Sequence, residues 1–117
     1  SAMAAAALVH LLGGSPEQMA AACATALQNL MGLVCDPVGG LVEYPCQNRN
    51  AIGVAAAFSS AQLALSGISS LVPFDEMAQV MLKVGRALPA SLRETAKGGT
   101  AQAPAALEAC RRCGICG

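Results

Sequence analysis

The chain has 117 residues, enough for one domain. Its formal net charge is zero and only 12% of its residues are charged, which excludes the basic face that nucleic-acid binding requires. Hydrophobic content is 55% but aromatic content only 3%, so alanine rather than Phe or Trp supplies the apolar surface, as suits helices packed closely through small side chains.

Ala2 to Leu12 is an uncharged, alanine-rich helix-forming segment ended by Gly13-Gly14. No basic leader precedes it, and position 1 is not Met, so the chain reads as a fragment or a processed product. Ser15-Pro16-Glu17-Gln18 predicts a second helix, with Ser as N-cap, Pro at the first helical position and Gln closing a capping box. Met19, Cys23, Ala26, Leu27, Leu30 and Met31 form its apolar stripe, on which Cys23 reads as a packing thiol.

A loop from about Leu33 to Gln47 follows. It reads CDPVGGLVEYPC over its length, with Cys35 and Cys46 at the ends of a stretch rich in Pro and Gly. Turn-rich sequence is a poor place for buried thiols, so this segment is read as one that presents two sulfurs to a metal centre of the iron–sulfur kind. Gly39 and Gly40 would let main-chain N–H groups approach a cluster sulfide or an anionic substrate. Asn48-Arg49-Asn50 reads as a helix cap, and Arg49 as a group able to clamp a substrate carboxylate.

No charged residue occurs from Ala51 to Phe74. A membrane span needs about 20 apolar residues, but Gln62 and five serines interrupt this run, so a buried helix is expected instead. Pro73-Phe74-Asp75-Glu76 opens another helix, with Phe74, Met77, Val80, Met81, Val84 and Leu88 as its stripe and Pro89 at its end. Ser91 to Lys97 suits one more short helical piece. The segment Arg93 to Gly99 is a weaker candidate to face a site. From Gly98-Gly99 the chain is expected to be flexible.

That tail ends in ACRRCGICG, where Cys110, Cys113 and Cys116 have the C-x2-C-x2-C spacing of bacterial ferredoxins but lack the fourth cysteine and proline. The tail reads as an end that delivers a thiol elsewhere, or as a zinc-binding or redox segment. His10, the only histidine, reads as a packing residue rather than a catalytic one. The expected fold is all-α: about four main helices, a cysteine-bearing loop and a flexible C-terminal tail, divided into residues 1–103 and a Cys-rich tail 104–117.

The segments MAAAALV, GLVCDPVGGLVEYPCQNRNAIGVA, PFDE, KVGRALP and RETAKGGTA carry a resemblance. Over about Ser1 to Ala103 the chain resembles the C-terminal part of the alpha chain of bacterial iron–sulfur-dependent L-serine dehydratase. The resemblance implies a 4Fe-4S cluster held by three cysteines, and no pyridoxal phosphate. Two ligands match Cys35 and Cys46, and the third belongs to a segment that precedes MAAAALV in the family. Cys116 is the closest match to a C-terminal cysteine that caps the open iron in some members. The implied reaction is elimination of the serine hydroxyl, giving pyruvate and ammonia, with the base outside this chain. Read from the residues themselves, the candidate substrate-binding groups are Gly39, Gly40, Asn48, Arg49 and Asn50. The implied partners are L-serine and a beta chain or an upstream part of the alpha chain, in a cytoplasmic oligomer that engages neither nucleic acid nor membrane. An iron–sulfur L-cysteine desulfidase, or a metal-binding or electron-transfer module centred on the tail, is the alternative.

Overall fold

The computed structural model describes residues 1–114 and places them in two compact units. Among the described residues there are five α-helices and no strand, only an isolated bridge.

The first unit comprises residues 1–32 and 51–86. It holds α1 (Ala2–Leu11), α2 (Pro16–Leu30), the larger part of α3 (Cys46–Leu65) and nearly all of α4 (Phe74–Ala87). Ser15 caps α2 as expected: the Gln18 N–H donates to Ser15 Oγ (3.3 Å) and the Ser15 N–H to Gln18 Oε1 (2.9 Å). Gln18 also donates from Nε2 to the Ala64 carbonyl (3.1 Å), tying this cap to the end of α3. The core is Ala5, Val9, Ala22, Ala26, Ala57, Ala61 and Ala64, with Leu8, Met19 and Leu65 packed around it. Alanine at nearly every core position lets the helix backbones approach closely, so dispersion between main chains replaces interdigitated large side chains. Cys23 sits half-buried in this unit, its thiol against the Ala2 carbonyl (3.3 Å). Burial pushes that thiol's pKa up, against a smaller opposing main-chain hydrogen bond.

Three expectations change. His10 is exposed rather than packed, because it falls on the outer side of α1's last turn. Only Met77 of the α4 stripe is fully buried. The uncharged run does not form one long helix: α3 stops at Leu65 and Gly67, at φ 83°, turns the chain. No helix of the described residues is long and apolar enough to cross a membrane.

The second unit comprises residues 33–50 and 87–117 as far as they are described. It contains the cysteine-bearing loop, the first turns of α3, three short 3-10 turns (Val38–Gly40, Ala90–Leu92, Gly99–Gln102) and α5 (Pro104–Cys113). The start of α3 lies earlier than the Asn-Arg-Asn signal suggests. The Glu43 and Pro45 carbonyls accept from the Gln47 and Arg49 N–H groups (2.8 and 3.0 Å), so Cys46 is already helical. Residues 104–113, expected as part of a flexible tail, are helical. Pro104 opens α5, Arg111 and Arg112 occupy its last turn, and Gly114 caps it at φ 62°. α5 packs against the turns at 38–40 and 99–102.

Candidate functional site

The loop that carries Cys35 is held by main-chain bonds to a distant segment. The Cys35 N–H donates to the Leu92 carbonyl (2.9 Å), and the Cys35 carbonyl accepts from Glu94 (2.8 Å) and Thr95 (3.3 Å). This is a one-residue parallel bridge between Cys35 and Arg93. Glu94 takes φ 61° to make it, the one non-glycine residue in the left-handed region among those described. Cys35 itself remains exposed.

The next residue anchors the loop. Asp36 is completely buried. Its Oδ1 accepts from Arg49 Nη1 (2.5 Å), and its Oδ2 accepts from the Thr100 N–H (2.5 Å). Arg49 Nη1 also donates to the Val34 carbonyl (2.9 Å). Burial alone would raise the Asp36 pKa, but the Arg49 and Thr100 hydrogen bonds and the Arg49 charge outweigh it and hold the carboxyl below its ordinary value of 3.8. A buried carboxylate needs this partnership, since an unpaired charge there is costly. The same carboxylate explains a glycine. Gly99 has φ 59°, and a Cβ there would overlap Asp36 Oδ2. One side chain thus joins the cysteine loop, the first turn of α3 and the Gly-Gly-Thr segment.

Cys46 is half-buried in the first turn of α3. There the helix presents main-chain N–H groups, which favour negative charge. The five described cysteines are all free thiols. Among the described residues no group of three or more Cys, His, Asp or Glu is arranged to hold a metal ion. Among the described residues, no third group of this kind joins Cys35 and Cys46. Cys116 lies outside the described residues.

Gly39 and Gly40 line a cavity of about 440 Å³ together with Ala96, Leu107, Cys110 and Arg111. Both glycines have positive φ (63° and 76°). Asn48 and Asn50 are exposed on α3, whereas Arg49 is half-buried and turned to Asp36. The structure thus groups Gly39 and Gly40 with the tail thiol Cys110, and groups Arg49 with a carboxylate of this same chain. Asp36 and Thr100 are the residues whose importance the sequence does not announce. The one hint was an acid in a turn-rich, apolar loop with a lone arginine nearby.

Residues 1–101 match the family described as "Serine dehydratase alpha chain", and the chain belongs to that family. It is 53% identical over 108 residues to the "Probable L-serine dehydratase, alpha chain" of Bacillus subtilis, covering 92% of this chain and 36% of that protein. It is 57% identical over 101 residues to the "L-serine dehydratase, alpha chain" of Peptoniphilus asaccharolyticus, covering 86% of this chain and 35% of that one. It is also 44% identical over 100 residues to "L-serine dehydratase 1" of Escherichia coli, covering 85% of this chain and 22% of the other. The chain therefore spans about a third of the length of the first two relatives. No solved structure matches it.

Proposed function

We propose that this chain is the cysteine-loop segment of an L-serine ammonia-lyase, which converts L-serine to pyruvate and ammonia. The supporting observation is the construction of the loop. A fully buried carboxylate fixes the residue beside an exposed thiol, while the second thiol begins a long helix. Such effort to hold one exposed cysteine suits a ligand better than a packing residue.

The residues suit an iron–sulfur cluster in kind, since both loop cysteines are free, one is exposed, and the other stands at the positive end of a helix. They are two ligands of an expected three, and the third comes from outside this chain. When bound, the cluster supplies an iron Lewis acid that assists departure of the serine hydroxyl. Cys35 and Cys46 hold it. Asp36 keeps Cys35 and the Gly99–Thr100 segment in register. Arg49 neutralises Asp36 through Nη1, and its remaining guanidinium N–H groups are available to a substrate carboxylate. Asn48 and Asn50, exposed on the same turns, and the Gly39 N–H are further donors for an amino acid, whereas the Gly40 N–H is engaged by the Pro37 carbonyl (3.1 Å). Removal of the α-proton falls to a base beyond this chain. Dehydration releases one water and hydrolysis of the dehydrated product consumes one, so the net products are pyruvate and ammonia. The protein works with the rest of an alpha chain, and free thiols suit a reducing cytoplasmic compartment.

The test is anaerobic reconstitution of a complete alpha chain carrying this segment, with a beta chain where the relative has one. Serine-dependent pyruvate is expected from the parent protein. Cys35→Ala and Cys46→Ala should each abolish both pyruvate formation and stoichiometric iron. Full activity in either variant would remove that cysteine from the ligand set.

A further inference from the structure

α3 turns one side to the first unit's core through Ala57, Ser60, Ala61 and Ala64. Its other side is open. At about 100° per residue, Ala55 and Ser59 run down the middle of that side, with Ile52 and Leu63 along one edge and Val54 and Phe58 along the other. All six are exposed, Ile52 to 66%, Val54 to 58% and Phe58 to 59%. No charge interrupts them, because none occurs between Ala51 and Phe74, although the exposed amide of Gln62 lies on the same middle line.

Single exposed apolar residues are ordinary, but a charge-free half-circumference over several turns marks a surface that meets another apolar surface. The contrast lies within the same unit. α4 turns Asp75, Glu76, Lys83 and Arg86 outward, as a solvent-facing helix should. The occupant of the α3 face must be uncharged and largely apolar, with a polar group to meet the Gln62 amide, since a charge buried there would find no opposite charge.

We propose that the outer face of α3 docks an apolar helix from the part of the alpha chain that lies outside the matched region. The relatives point to that source. The Bacillus and Peptoniphilus alpha chains, and the Escherichia coli protein whose name mentions no separate chain, each keep more than half of their length outside the match. Further sequence in the same polypeptide is what these relatives share. The inference rests on family membership, and its test reads proximity rather than catalysis, so failure of the dehydratase chemistry would leave it standing.

The experiment places the photo-crosslinking residue p-benzoylphenylalanine at position 58 in a complete alpha chain that carries this segment. Its shape is close to phenylalanine, and circular dichroism checks the fold. Irradiation followed by peptide mass spectrometry should join position 58 to an apolar helical peptide outside residues 1–117 of the same polypeptide. A second variant, Phe58→Lys, should lower the melting temperature of the complete alpha chain. It should leave that of the isolated 117-residue chain unchanged. A crosslink to a second copy of this segment or to a beta chain, or no crosslink at all, would overturn the proposal. So would equal melting shifts in both contexts.

Discussion

Removing the Asp36 carboxylate should loosen the cysteine loop more than any other single change in the second unit. Asp36→Ala deletes two charge-assisted hydrogen bonds, from Arg49 Nη1 and from the Thr100 N–H, each 2.5 Å long. Each such bond contributes about 1.5 kcal/mol or more. Breaking a fully buried pair costs about 3–5 kcal/mol, but the Arg49 side chain is 28% exposed and can recover some hydration. The low end, about 3 kcal/mol, is therefore expected. For a chain of this size that corresponds to a melting temperature lower by about 10–15 °C. Asp36→Asn keeps the shape and one acceptor, so about half that loss is expected. Urea and thermal unfolding followed by circular dichroism measure both. The pH dependence has a definite sign. The folded carboxyl titrates below its ordinary value of 3.8, so its stabilisation is complete above that pH and is lost as pH falls through the folded value. The gap between parent and Asp36→Asn should be constant near neutrality and close in acid below pH 3.8. An Asp36→Ala variant within about 0.5 kcal/mol of the parent, the range of a bland surface change, would refute the reasoning.

Other substitutions probe the same frame. Gly99→Ala should destabilise by about 2 kcal/mol, through both the left-handed backbone and the overlap with Asp36, as read by urea titration. Glu94→Gly should be neutral or stabilise by up to about 1 kcal/mol, because it relieves the positive φ beside Cys35; clear destabilisation would mean that the Glu94 side chain matters. Ser15→Ala should cost about 1 kcal/mol by removing the cap of α2, and thermal melting would show it.

Local signals were the legible ones. Ser15-Pro16-Glu17-Gln18 announces a cap because all its partners lie within one turn, and the structure contains it. Pro73-Phe74-Asp75-Glu76 likewise marks the start of α4. Partners far apart in the chain leave no such local signal. Asp36 meets Arg49 thirteen positions away and Thr100 sixty-four away, separations that no periodicity reports. Asn48 and Asn50 misled because asparagine is a good cap residue in isolation, yet here the chain had become helical at Cys46. In the tail, the glycines at 98 and 99 masked Pro104, which was itself a helix-start signal. The free thiols of Cys35 and Cys46 were visible as types and spacing. What Cys35 rests on was not, since a one-residue bridge to Arg93 leaves no alternation in the sequence.

The most direct measurement is iron content together with the electron paramagnetic resonance spectrum of a reduced, anaerobically purified alpha chain carrying this segment, with and without L-serine. A cluster signal that shifts on adding serine, and disappears in Cys35→Ala and Cys46→Ala, is the expected result. Iron that survives both substitutions, or a spectrum indifferent to serine, would contradict a cluster held by these two sulfurs beside the substrate.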